Sequence, residues 1–191
     1  MDNRIIKTNF HLDELFDIDI VEDISEDEAD ELFNELVYSV GWMMMVFNSL
    51  DNLVSMSMDK GLDPELRRSE INHMIISEMN YSQKVNFIIR HYGALIFNDS
   101  EFDFLKNDLE LLEKNLRDSG TIRNRYAHAD FGTVLKGYYI KVKTKAAKTG
   151  VYHDYLRIEK SDIQADIKLV EDTRTLLENF DEKFWNKIYN R

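Results

Sequence analysis

The chain is predicted to be mainly α-helical, an antiparallel helical bundle with a small β-hairpin inserted before the last helix. Three observations carry that expectation. Apolar residues recur at three- and four-residue steps over long stretches, the period of a helix that buries one face. One proline and seven glycines leave little material for the many turns of an all-β fold. The period then switches to two over one stretch only, after Phe131-Gly132.

The elements follow in order. Residues 1–24 mix apolar and acidic side chains without a helical period, which reads as an irregular acidic arm. Residues 25–191 then read as a single helical domain. Ser25-Glu26-Asp27-Glu28 has the form of a capping box, with acids in the first turn that suit the helix dipole. Leu32, Leu36, Val40, Met43, Phe47, Leu50 and Val54 continue it as one long helix ending near Lys60-Gly61. Met43-Met44-Met45 inside it reads as adaptable core or interface filling. Asp63-Pro64 starts a second helix, a cap followed by proline in the first turn, with Leu66, Ile71, Met74, Ile75 and Met79 as a weaker apolar face.

Asn80-Tyr81-Ser82-Gln83 is a further cap, leading into Val85, Ile88, Ile89 and Tyr92. Asn98 or Ser100 opens the next helix, with Leu105, Leu109, Leu112 and Leu116 on one side, and Ser119-Gly120 reads as a break or kink. Tyr138, Ile140 and Val142 alternate with Tyr139, Lys141 and Lys143, and Tyr152, Tyr155 and Ile158 do so more loosely. With Lys148-Thr149-Gly150 between them, this predicts a β-hairpin over about 134–159. Ser161-Asp162-Ile163-Gln164 caps a last helix bearing Ile167, Val170, Leu177, Phe180, Phe184 and Ile188.

At 191 residues the chain suits one domain with a proper core. It has no cysteine, so neither a disulfide framework nor a thiolate metal site is open to it. No leader-like segment and no membrane-length apolar run is seen, so a cytoplasmic protein that does not enter a membrane is expected. The net charge of −12 argues against a polyanionic partner until its distribution is read. Residues 1–35 hold 13 acids and two bases, whereas residues 120–150 hold seven bases and one acid, Asp130. A basic patch of Arg125, Lys136, Lys141, Lys143 and Lys145 therefore flanks one short motif, and these are the candidate RNA-binding residues. A competition of the acidic arm with RNA for this patch is one expectation, and a solvated acidic tail is the other.

That motif is Arg123-Asn124-Arg125-Tyr126-Ala127-His128. On a helix with Arg123 at 0°, Ala127, Asn124 and His128 fall at about 40°, 100° and 140°, and Ile122, Tyr126 and Ala129 near −100°, −60° and −120°. One face suits a core; the other offers a cation, an amide and an imidazole. Arginine can hold a phosphate bidentately and stabilise added charge. Histidine can move a proton near neutral pH, as attack of a 2′-hydroxyl on the adjacent phosphodiester requires. Asn124 can orient either partner. Of the other histidines, His73 and His91 are expected in interior or boundary positions. His153 beside Asp154 makes a poor start for a metal site. Gly-rich phosphate loops, His-Glu-x-x-His pairs and G-x-S-x-G elbows are missing.

Arg123-Asn124-x-x-Ala127-His128, late in a helical bundle, resembles the R-x4-6-H motif of the HEPN superfamily, whose arginine is often followed by asparagine. The resemblance implies a HEPN-like bundle and a metal-independent RNA endonuclease without cofactor. It implies a homodimer with motifs facing across the interface, Arg123 on the scissile phosphate, His128 in proton transfer and Asn124 supporting them. Such proteins are commonly toxins with an antitoxin or regulatory partner, or effectors of abortive infection and antiviral defence. The superfamily also includes inactive dimerisation and ligand- or nucleic-acid-binding modules, so a non-catalytic reading stands beside the enzymatic one. Asp130 occupies the place of a tyrosine that some of these toxins carry, and on a continued helix it would lie near Arg123, at about −20°.

Overall fold

The computed structural model describes residues 5–11, 25–63, 69–128, 130–135, 138–148 and 150–189. Expectations for most of the arm, for Pro64 and Leu66, and for Lys136 lie outside them. The protein is mainly helical. In chain order it contains β1 (Ile5–His11), α1 (Glu26–Leu62), α2 (Ser69–Ser77), α3 (Tyr81–Ile96), a 3-10 turn (Ser100–Leu105), α4 (Lys106–Ala127), β2 (Asp130–Leu135), β3 (Tyr138–Ala147), β4 (Gly150–Ile158) and α5 (Lys160–Tyr189). Compactness divides the chain into two units, residues 1–43 with 125–165 and residues 44–124 with 166–191.

Local chemistry explains most helix boundaries. Ser25 Oγ accepts from the Glu28 amide at 3.3 Å at the start of α1. Asn80 caps α3 with a full capping box, its side chain taking the Gln83 amide at 3.0 Å while Gln83 Oε1 takes the Asn80 amide at 2.9 Å. Asp99 caps the 3-10 turn, which hands over to α4. At α5 the cap differs from expectation: the helix begins at Lys160, and Asp162 reaches back to the Glu159 amide at 2.9 Å. Ser161 is therefore in the first turn, because the next residue, Asp162, already serves the exposed amide.

Two further expectations are corrected. Ser119-Gly120 does not break α4, which runs on to Ala127. Ser119 is fully buried and returns its hydroxyl to the Asn115 carbonyl at 2.8 Å, keeping the helix closed. Gly120 is there for space: a Cβ on it would stand 3.0 Å from the Tyr81 ring. In α2 the buried residues are Asn72 and Ile76, whereas Ile71, Met74 and Ile75 are exposed, as is His73. Asn72 is drawn inward by a hydrogen bond to Asp59 Oδ1 at 3.0 Å, which the apolar pattern alone does not reveal.

The unit of residues 44–124 and 166–191 has a dense aromatic core. Tyr92 lies 4.8 Å from Phe184 and 5.0 Å from Phe180, ring centre to ring centre, and Phe102 lies 5.5 Å from Phe184. Leu50, Val54, Met58, Ile88, Leu105, Leu112, Leu116, Val170 and Leu177 fill the remainder. One carboxylate is built into this core. Asp181 accepts from Ser57 Oγ at 2.5 Å and from the Tyr92 hydroxyl. Burial raises its pKa, and the two hydroxyls and Lys60 only partly offset that.

The unit of residues 1–43 and 125–165 contains a four-stranded antiparallel sheet in the order β1-β4-β3-β2. Strand β1 lies in the segment whose composition reads as an irregular arm. Its Ile5 and Lys7 pair with Leu156 and Tyr155, a long-range ladder that no local period announces. Leu36, Met43, Tyr126, Tyr139, Ile158 and Ile163 are buried, and Lys160 pairs with Glu35 at 3.0 Å.

Candidate functional site

The motif occupies the end of α4, and exposure along it follows the helical projection. Ile122 and Tyr126 are buried, Arg123 is half-buried, and Asn124 and Ala127 are exposed. His128 is exposed and is the first residue past the helix. Because the helix stops there, Asp130 does not fall near Arg123 on a continued wheel. It opens β2, in register with Val142.

Arg123 donates from Nη1 to Asn124 Oδ1 at 3.1 Å. Asn124 therefore steadies the guanidinium. Among the described residues no carboxylate pairs with Arg123. Arg117, earlier on the same helix, is the opposite case. Its Nε and Nη2 reach Glu113 Oε1 at 2.9 and 2.7 Å, and Nη2 also reaches Asn86 Oδ1 at 3.0 Å.

The candidate RNA-binding cations do not form one exposed set. Lys141 is only 7% exposed, and its Nζ donates to the Arg125 carbonyl at 2.6 Å. It caps the C-terminus of α4, where a cation both fills an open carbonyl and suits the dipole. Lys141 is thus withdrawn from the expected surface patch, since charge counting cannot separate a capping lysine from a solvated one. Arg125 is half-buried. Lys143 and Lys145 take register positions on β3 opposite Asp154 and Tyr152.

Arg123 and Asn124 line a cleft of about 600 Å³. Its other walls come from α1, with Asn48 and Asp51, from the start of α3, with Asn80, Tyr81 and Ser82, and from α4 itself, where the Glu113-paired Arg117 also lines the cleft. The Tyr81 ring forms a fixed wall. It packs 4.7 Å from Phe47, and its hydroxyl donates to the Leu116 carbonyl at 3.1 Å. Burial first, and the Asp51 carboxylate second, push the Tyr81 phenol far above its ordinary value. It stays protonated at neutral pH and serves as a wall rather than as a base.

Asp51 is itself held in place: its Oδ1 takes the Lys84 ammonium at 2.9 Å, and the Lys84 side chain is almost wholly covered. The start of α3 borders the same cleft. Gln83's amide is used by the Asn80 cap, while those before it have no partner within the helix. The cleft thus joins one guanidinium without a carboxylate among the described residues, a second that is paired with Glu113, and one anchored carboxylate.

Asp51, Tyr81 and Lys84 do not stand out in the sequence. The one local hint is Lys84, a charge set directly before the apolar run Val85 to Ile89. Among the described residues no group of three histidines and acids is placed to hold a metal. A second cavity of about 500 Å³ is bounded by Gln83, Asn86, Phe87, Arg90 and His91. His91 is half-buried, and its Nε2 has no hydrogen-bond partner among the described residues. Burial lowers its pKa, so the ring is neutral at neutral pH.

No protein-family model matches the chain, and neither a curated protein nor a solved structure matches it. Among the described residues no helix is long and apolar enough to cross a membrane.

Proposed function

We propose that the protein is a metal-independent RNA endonuclease of HEPN type, a helical bundle with a β-hairpin insert that acts as a homodimer in a toxin or antiviral-defence setting. One observation carries the reading. Arg123 is half-buried beside a cleft, steadied by Asn124 and left without a carboxylate partner among the described residues. Holding an uncompensated cation partly out of water is costly unless an anion is meant to meet it.

In this reading Arg123 grips the scissile phosphate and stabilises the charge of the pentacoordinate state. His128 takes the proton of the attacking 2′-hydroxyl or supplies one to the leaving 5′-oxygen. The 2′-oxygen forms the new bond to phosphorus and the P–O5′ bond breaks, giving a 2′,3′-cyclic phosphate and a free 5′-hydroxyl. A two-fold dimer would supply a second copy of both residues. Arg125, Lys136, Lys143 and Lys145 remain the cations proposed to follow the RNA backbone, and an antitoxin or other regulator would be a further partner.

The test uses purified full-length chain with chelator and single-stranded RNA. The reading expects 2′,3′-cyclic phosphate ends, lost in His128→Ala. Cleavage that survives in that variant, or none by the wild type over varied RNAs, sinks it.

A further inference from the structure

The cleft beside Arg123 presents both signs of charge. Arg123 and the Glu113-paired Arg117 supply the positive charge and Asp51 the negative, all on the lining of the same cavity of about 600 Å³. That volume is in the range of small-molecule and cofactor sites. A ligand that engages both Arg123 and the open Oδ2 of Asp51 must bring an anionic group and an N–H donor together. The fitting ligand joins a phosphate to a neutral group rich in N–H donors, which describes a nucleotide.

The state of Asp51 narrows the choice of base. Lys84 occupies Oδ1 at 2.9 Å and holds the carboxylate in orientation. Among the described residues Oδ2 has no hydrogen-bond partner. An ionised carboxylate only accepts, and each oxygen accepts more than one bond. Guanine offers two adjacent donors on its Watson–Crick edge, N1–H and the 2-amino group. Adenine and cytosine put an acceptor nitrogen in the middle of that edge. Uracil flanks its one N–H with carbonyl oxygens, which a carboxylate repels.

We infer that this cleft is a guanine-reading subsite, with Asp51 accepting from the guanine edge and Arg123 holding the attached phosphate. It rests on the ribonuclease reading for its place on an RNA chain and deepens that reading to a preference for cleavage beside guanosine. Asp51 is a specificity residue, Lys84 positions it, and Tyr81, pinned by Leu116, gives the base a rigid wall.

The experiment measures binding of guanosine, inosine, adenosine, cytidine and uridine 3′-monophosphates to the wild-type chain by titration calorimetry, apart from any cleavage. Guanosine 3′-monophosphate is expected to bind tightest, by about tenfold or more over the other three common bases, the discrimination of one good bidentate pair. Inosine, which lacks the 2-amino group, should lose most of that advantage without any change to the protein. Arg123→Ala should weaken all the nucleotides alike, and Asp51→Asn should remove the preference.

Equal binding of the common bases, or no binding of any of them, overturns the inference, as does inosine binding as tightly as guanosine. RNA cleavage without base discrimination leaves the nuclease reading standing and discards the subsite. Guanosine selectivity without cleavage does the reverse. The inosine comparison keeps the inference falsifiable even if Asp51→Asn fails to fold.

Discussion

Two polar clusters in the unit of residues 44–124 and 166–191 differ in what they leave unpaired. At Asp181 each carboxylate oxygen has a hydroxyl, from Ser57 and from Tyr92, and both donors are buried. At the cleft, Arg123 has an amide neighbour and no carboxylate among the described residues, while Asp51 shares one oxygen with Lys84. A closed cluster holds a fold together, because its polar groups find their partners inside the chain. A cluster left open in a cavity costs stability and is the place to look for a ligand. The same contrast holds along α4, where Arg117 is tied to Glu113 and Arg123 is not.

The largest effect that could break this comparison is on activity. On the proposed ribonuclease reading, Arg123→Ala should lower RNA cleavage by about 100- to 1,000-fold, the usual loss of a transition-state donor, with the unfolding midpoint almost unchanged. A clear fall in stability instead would move Arg123 to the structural side. Tyr92→Phe should act in the opposite manner. It leaves an Asp181 oxygen without its donor and should cost about 1–3 kcal/mol in chemical denaturation, while nucleotide affinity at the cleft is preserved.

Asp181 also predicts a pH dependence whose sign can be worked out. Its folded pKa is raised above the unfolded value. Between those two values the folded chain binds more protons than the unfolded one. Its contribution is therefore complete below the unfolded carboxylate value and is lost as pH rises through the folded value. Asp181→Asn should flatten this fall in denaturation curves taken from acid to neutral pH. An identical slope in the variant would show that Asp181 is not the group responsible.

The smallest effect sharpens the contrast within α4. Arg117→Ala removes an exposed i,i+4 pair and should cost at most about 1 kcal/mol. Cleavage should fall far less than for Arg123→Ala. Equal losses for the two arginines would mean that the partner Glu113 does not set them apart.

Several features were legible in the chain itself. The Asn80–Gln83 capping box lies within three residues of sequence, so its chemistry can be read locally. The separation of Ile122 and Tyr126 from Asn124, Ala127 and His128 follows from helical periodicity alone. Other features were not legible. Ser119-Gly120 looks like a helix break until the Tyr81 ring is seen against Gly120. The apolar run in α2 points its Ile71, Met74 and Ile75 outward because Asn72 is tied to Asp59.

By itself the sequence determined the mainly helical class, the helix starts that carry their own caps, and the outward face of the Arg123 motif. Each depends on residues a few positions apart, where backbone geometry leaves little choice. Only the tertiary structure decided that Lys141 caps a helix instead of joining a basic surface, that Asp51 and Lys84 share the cleft with Arg123, and that β1 completes a sheet. Those outcomes depend on partners far apart in the chain, Lys141 with Arg125 at 16 residues, Lys84 with Asp51 at 33, and Ile5 with Leu156 across the sheet. Local periodicity contains no term for such distances. Packing settles them, because a buried polar group without a partner is costly.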